Sequence, residues 1–247
     1  MSERLAVVTG GIGGLGTAIC LQLAASGRRV VAADLGAREE RIAAFRQEVA
    51  AHGDRIAFRP IDVSDFHACK EFADDVAATF GPVDIVVNAA GITRDTTLRK
   101  MDLSFWQDVM RVNLDSAFNV TRHFIDSMCD RGFGRIVNIS SVNGQTGQFG
   151  QTNYSAAKAG LHGFTMALAR EVARKGVTVN SVSPGYCRTQ LVMNIAENIR
   201  NDIIAKIPVG RLGEPSEIAR AVDFLTSDDA GFITGANLPV NGGYFMD

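Results

Sequence analysis

Tyr154 and Lys158 stand four residues apart in a chain of 247. On a helix that spacing puts both side chains on one face. A phenol with an ordinary pKa of about 10 exchanges protons poorly at neutral pH. An ammonium beside it favours the phenolate and lowers that pKa. The pair can then give a proton to an oxygen while a hydride reaches the adjoining carbon. Ser141 follows the apolar run 135–140 and can hydrogen-bond the same oxygen. Asn113 lies in an earlier helical stretch and suits a water that joins Lys158 to solvent. Each residue alone has an ordinary structural reading. Together they supply a donor, a tuning charge, an orienting hydroxyl and a proton outlet, which is the set of roles that carbonyl reduction needs.

A second constellation opens the chain. Run 5–9 ends in Thr9-Gly10-Gly11-Ile12-Gly13-Gly14-Leu15-Gly16, with Gly10, Gly14 and Gly16 spaced as TGxxxGxG. Glycine permits the tight turn and lets backbone approach a diphosphate at a helix N-terminus. The position between a strand pattern and a helix pattern makes the signal specific. Asp34 ends the next apolar run, where a carboxylate accepts a hydrogen bond from a ribose 2′-OH and repels a 2′-phosphate. The loop holds no Lys or Arg, and Leu35 follows Asp34. These features predict NADH, with NADPH as the alternative; Arg38 and Arg41 are near enough in sequence to turn toward a phosphate. Asp62 and Val63 close a third run and suit the adenine amino group. Asn88, Ala89, Ala90 and Gly91 close a fourth, where small residues admit the ribose.

These positions need a scaffold that gathers strand ends. Short apolar runs at 5–9, 29–34, 56–61, 83–88, 135–140, 177–182 and 236–240 alternate with helical patterns at 14–26, 39–51, 65–80, 104–131, 153–175 and 215–226. Ser104 suits an N-cap, and Gly132 and Gly176 suit helix stops. Such alternation predicts an α/β fold, a single-domain Rossmann-type doubly wound parallel sheet of about seven strands with helices on both faces. Its ligand crevice lies at the carboxyl ends of the strands. No linker or repeat divides residues 1–247, and 189–208 reads as a partly helical substrate lid.

Composition narrows the partners. With 46% hydrophobic and 21% charged residues the chain reads as an ordinary globular protein, and a net charge of −2 gives no electrostatic case for nucleic acid or an anionic membrane. Cys20, Cys69, Cys129 and Cys187 form no CxxC pair, so free thiols in a reducing cytoplasm are expected. The start of the chain shows no signal-peptide pattern, and no apolar run approaches a membrane span. His52, His67, His123 and His162 are scattered; His162 reads as structural. There is no HExxH or other metal spacing, and no G-x-S-x-G elbow for a serine hydrolase.

Across essentially the whole chain these residues resemble the short-chain dehydrogenase/reductase family. The matching motifs are Thr9 to Gly16, Asn88 to Gly91, Asn113, Ser141, Tyr154-Ser155-Ala156-Ala157-Lys158, and Pro184-Gly185 with Thr189. The resemblance implies Tyr154 as general acid, with Lys158 lowering its pKa and holding the nicotinamide ribose. It implies Ser141 positioning the carbonyl, and Pro184, Gly185 and Thr189 near the nicotinamide. Within the family, segments 134–145, 147–154 and 182–186 are similar to the acetoacetyl-CoA reductases of polyhydroxyalkanoate synthesis. The implied product is (R)-3-hydroxybutanoyl-CoA, for polyhydroxybutyrate. Most such reductases use NADPH, from which Asp34 departs.

The loop 148–151 suits a small oxoacyl chain. Phe149 offers an apolar wall, Gln148 and Gln151 offer amide donors to a thioester oxygen, and Tyr186 suits the pantetheine stem. Asp95 suits a substrate contact, and Arg94 and Arg188 suit CoA phosphates. A rival reading is a 3-oxoacyl-(acyl-carrier-protein) reductase, with Arg131, Arg135, Arg170 and Arg174 as a basic docking surface. A rival of another class is a non-catalytic nucleotide sensor, which has no need of Ser141, Tyr154 and Lys158 together. The resemblance further implies a homotetramer built through the two long helices. Leu161, Phe164, Leu168 and Val172 at helical spacing suit burial in such an interface or in the core.

Overall fold

The computed structural model describes residues 3–246. Among them seven strands form one parallel sheet: β1 (Leu5–Thr9), β2 (Arg29–Asp34), β3 (Ile56–Pro60), β4 (Ile85–Asn88), β5 (Gly134–Ile139), β6 (Val177–Pro184) and β7 (Asn237–Val240). Their order is β3-β2-β1-β4-β5-β6-β7. The helices are α1 (Gly14–Ala25), α2 (Glu39–Glu48), α3 (Phe66–Phe80), α4 (Leu103–Met110), α5 (Ser116–Arg131), α6 (Asn143–Thr146), α7 (Thr152–Val172), α8 (Gln190–Met193), α9 (Glu197–Ala205) and α10 (Pro215–Leu225).

Alternation along the strands sorts the apolar side chains into two cores. Ala6, Val8, Val30 and Ala32 face α1, α2 and α10 through Ile19, Leu23, Phe45, Ile218 and Val222. Leu5, Val7, Val31 and Ala33 face α3, α5 and α7 through Phe72, Val76, Val120, Phe124 and Val172. Because both faces are covered, β1, β5 and β6 are buried along their whole length. That is why their sequences read as near-continuous apolar runs.

The expected helix 104–131 is not continuous. α4 starts at Leu103 with Asp102, not Ser104, at the N-cap, and a π-helical turn at Arg111–Asp115 separates it from α5. A π-turn inserts one extra residue and is enriched at functional sites. Leu114 of this turn lies against α7 where a Cβ on Gly160 would come within 2.9 Å of it. α5 stops as expected, with Gly132 left-handed at φ 68°. The pattern 39–51 ends early at Glu48, because a 3-10 turn over Ala50–Arg55 contains Gly53 at φ 54°. α6 carries no apolar periodicity and has no counterpart in the sequence reading. Of the four residues expected to be buried on the Tyr154 helix, Leu161 and Val172 are core and Leu168 packs against it, so core packing accounts for their spacing.

Candidate active site

Strand order reverses between β1 and β4, and there the carboxyl ends diverge into a crevice. Thr9 pairs with Asn88 across this point. Its Oγ1 accepts hydrogen bonds from the Ala89 and Ala90 amides at 3.1 and 3.2 Å, tying the two loops together. Gly10 has φ 64°, and a Cβ on it would sit 2.8 Å from the Ala89 carbonyl. A Cβ on Gly16 would sit 2.0 Å from the Gly10 carbonyl, so the loop closes only with glycine. Gly11 donates to Ala33 O at 3.1 Å, while Ile12 is fully buried and Leu15 packs on the same core. The loop hands over directly to the N-terminus of α1.

The residues expected to meet a dinucleotide line this crevice from β3 to β6. Asp34 Oδ1 accepts from the Leu35 amide at 2.8 Å and from Arg38 Nη1 at 3.3 Å. Arg41 is not free to reach a phosphate. It donates to Ile12 O at 2.5 Å and Thr17 Oγ1 at 2.9 Å, and it pairs with Glu48 at 2.7 Å. Asp62 Oδ1 is held by the Ser64 amide and hydroxyl, and Val63 O accepts from Asn119. The Asn88 side chain points into the sheet, donating to Asn138 Oδ1 at 2.8 Å and Thr121 Oγ1 at 3.1 Å. Its value to a ligand lies in the backbone that follows. Gly185 abuts Asn241, and Thr189 reaches over the loop so that a Cβ on Gly14 would meet its Cγ2 at 3.1 Å.

The catalytic candidates converge at the next strand. Tyr154, in the first turn of α7, faces the Ser141 side chain just past β5, which acts to lower its phenol. Ser141 Oγ also accepts from the Asn143 amide at 3.1 Å. Lys158 is buried, and its Nζ donates to Ile139 O at 2.7 Å. The Nζ lies 5.8 Å from the centre of the Tyr154 ring. Burial pulls Lys158 down to about 8. Burial also pushes the Tyr154 phenol up, against the lowering from Ser141. In the protein alone the net shift of Tyr154 is thus upward, set by burial, opposite to the lowering expected from Lys158.

Asn113 is anchored to the loop that follows Gly91. Its Oδ1 accepts from Ile92 N at 2.8 Å and its Nδ2 donates to Ile92 O at 2.9 Å. Both ends of the amide are engaged, so the side chain positions the loop after Gly91, with one Nδ2 hydrogen and one Oδ1 lone pair left over. Room remains at Gly91, where a Cβ would lie 3.5 Å from Asn113 Oδ1 and 3.6 Å from Lys158 Nζ. A side chain there would cover the ammonium. The bare backbone fits a ribose, and the remaining Nζ donors fit its hydroxyls.

On the substrate side Asp95, Gln151 and Tyr186 gather, and Gln148 and Phe149 do not. Gln151 Nε2 donates to Asp95 Oδ2 at 2.9 Å. Tyr186 packs edge-on against Tyr244 at 5.6 Å, and burial pushes its phenol up. Gln148 is exposed and Phe149 is 87% exposed, at the rim and not in the wall. Arg188 pairs with Glu214 at 3.0 Å, and Arg94 lies 3.9 Å from Asp108. His162 bonds to Ser183 Oγ at 3.2 Å. Asn143 was absent from the sequence reading. Only its place two residues after Ser141 hinted at it.

The proposed carrier docking residues are partly spent elsewhere. Arg135 is buried and donates to the carbonyls of Gly134, Gly176, Ser227 and Asp228. Arg131 pairs with Asp84 at 2.5 Å. Arg170 and Arg174 are left exposed. Among the described residues no group of three His, Cys, Asp or Glu could hold a metal, and no helix is long and apolar enough to cross a membrane.

A doubly wound sheet with a glycine loop at its switch point, and a Ser–Tyr–Lys set beside it, defines a nicotinamide-dependent reductase. Residues 10–245 match the family model described as enoyl-(acyl carrier protein) reductase. The chain belongs to this short-chain dehydrogenase/reductase family and is an NAD(P)H-dependent short-chain reductase. It is 55% identical over 247 residues to an acetoacetyl-CoA reductase of Allochromatium vinosum, covering 98% of this chain and 99% of that one. It is 54% identical to an acetoacetyl-CoA reductase of Cupriavidus necator, over the full length of both. To a 3-oxoacyl-(acyl-carrier-protein) reductase of Escherichia coli it is 42% identical, over 98% of each chain.

Proposed function

We propose that the protein reduces the 3-oxo group of acetoacetyl-CoA to (R)-3-hydroxybutanoyl-CoA, for polyhydroxybutyrate synthesis in the cytoplasm. The observation that carries the reaction type is Tyr154 facing Ser141, with the buried Lys158 ammonium 5.8 Å from its ring centre. A nicotinamide cofactor, when held in this crevice, would supply the hydride. Ser141 and Tyr154 both aim at one oxygen, and Tyr154 gives it the proton. Lys158 holds the ribose and stands behind the phenol as a positive charge. The proton returns from solvent along the gap at Gly91, between Lys158 and Asn113.

The substrate reading draws support from the relatives, since acetoacetyl-CoA reductases match this chain at 54–55% and the carrier-protein reductase at 42%. The commitment of Arg131 and Arg135 to internal partners weighs the same way. NADH is favoured over NADPH because the Asp34 carboxylate stands at the end of β2 and Arg41 is already engaged on the glycine loop. α8 and α9, at 190–205, form the lid. The assembly is a homotetramer.

Steady-state rates with acetoacetyl-CoA and acetoacetyl-carrier protein, each with NADH and with NADPH, test the reading. The expected order puts acetoacetyl-CoA with NADH first. A higher kcat/KM with the carrier-borne substrate overturns the substrate, and a preference for NADPH overturns the cofactor. Tyr154→Phe is expected to lose most of kcat while NADH binding persists; unchanged turnover overturns the mechanism.

A further inference from the structure

Asn143 sits between the catalytic serine and the substrate loop. Its backbone amide donates to Ser141 Oγ at 3.1 Å. Its Nδ2 donates to Gln151 Oε1 at 2.9 Å, and Gln151 Nε2 in turn donates to Asp95 Oδ2 at 2.9 Å. Asn143 is 8% exposed, and its Oδ1 is buried with no partner among the described residues. The same side chain faces the Tyr186 phenol and acts to lower its pKa, as an N–H donor does.

The chemistry of the three groups gives this row a direction. A carboxylate only accepts, so Gln151 must turn its NH2 toward Asp95. Its oxygen then faces Asn143, which must turn its own NH2 toward Gln151. What Asn143 has left is its Oδ1, an acceptor without a partner among the described residues, and one N–H. We propose that the charge of Asp95 sets the direction of a Gln151–Asn143 amide relay, and that Asn143 is the positioning residue at its end. It holds Ser141 through its backbone amide, turns its NH2 toward Gln151 and Tyr186, and keeps its Oδ1 as an unpartnered acceptor. With one Oγ lone pair taken by the Asn143 amide, the Ser141 proton is left to point at Tyr154 or the substrate oxygen.

The loop that bears Asp95 does not depend on the relay for its place. Thr96 N donates to Gly150 O at 2.8 Å, and Asn153 Nδ2 donates to Arg94 O at 3.3 Å. Changing the charge of Asp95 therefore tests direction and not loop anchoring.

The inference rests on the proposed reduction, and a double-mutant cycle on kcat/KM tests it. In the native background Asp95→Asn removes the charge that orders the amides and is expected to lower kcat/KM. Asn143→Asp sets two carboxylates against one Gln151 amide and is expected to lower kcat/KM by about tenfold to a hundredfold. Adding Asp95→Asn to Asn143→Asp lets Gln151 reverse, so the substitution that harms the native enzyme should improve this variant. That change of sign is the signature of a directed relay. Losses that simply multiply overturn it, as does an Asn143→Asp enzyme of native kcat/KM. NADH binding should stay native in all three. If Asn143→Asp does not fold, Gln151→Met serves: it should lower kcat/KM, and adding Asp95→Asn should then cost nothing more, whereas independent costs overturn the relay. A native enzyme that reduces no 3-oxoacyl thioester fails the functional reading and the relay with it. An active native enzyme with multiplying losses fails the relay alone.

Discussion

Lys158 shows what one functional residue costs the fold. Its ammonium is buried, with one carbonyl as acceptor and no acidic partner among the described ion pairs. Burial lowers its pKa from 10.5 to about 8. Between these values the unfolded chain binds more protons than the folded one, so stability rises with pH across the window from about 8 to 10.5. Below about 8 both states carry the charge, and the full penalty applies. Lys158→Met should therefore abolish reduction and still stabilise the cofactor-free protein, by as much as about 3 kcal/mol at pH 7. The gain should shrink as pH rises toward 10.5. Urea unfolding of both proteins at pH 7 and pH 9.5 checks it; a destabilised variant at pH 7 refutes the account. The roles of Tyr154, Ser141 and Lys158 were legible because they depend on residue type and helical spacing. The state of the lysine was not, because burial is decided by β5 and the loop at Gly91, both distant in sequence.

At the scale of elements, β4, β5 and α7 are fastened by a chain of buried amides. Asn88 donates to Asn138, and Asn138 donates to Thr165 Oγ1 at 2.9 Å. Asn138 and Thr165 are 0% and 1% exposed, so no water replaces a lost partner. Asn138→Ala should cost about 2–4 kcal/mol, since it leaves both neighbours short of a partner. Chemical denaturation reads this directly, and a loss under about 0.5 kcal/mol would contradict it. The sequence told the strands apart from the helices almost throughout, because alternation and helical periodicity are local signals. It missed where helices break: the π-turn at Arg111–Asp115 answers to Leu114 meeting Gly160 on α7. Arg41 and Asn143 were misread or missed for the same reason. Their partners Ile12 and Gln151 lie 29 and 8 residues away, and no spacing rule reports such pairs.

Among the exposed apolar side chains of the described residues, two groups lie on opposite helix layers. One lies on the α5–α7 layer, where Phe118 is 50% exposed against the ring of Phe66 and Met166 is 52% exposed. The other lies by α10 and the edge strand β7, where Phe224 and Phe232 are 55% and 104% exposed. A tetramer of identical chains with dihedral symmetry needs two different self-complementary patches, and a cyclic dimer needs one. β7 is short and carries Pro239, which guards an edge against open-ended pairing but leaves it able to meet one partner. Two patches in opposite helix layers fit the tetramer. Phe118→Glu combined with Met166→Glu should place charge in one interface only and sparing both cores should leave the fold intact. The expected species in sedimentation is then a dimer, held by the β7 side, where the proposed native species is a tetramer. A native monomer refutes the assembly, and a variant that stays tetrameric moves the interface off the α5–α7 face.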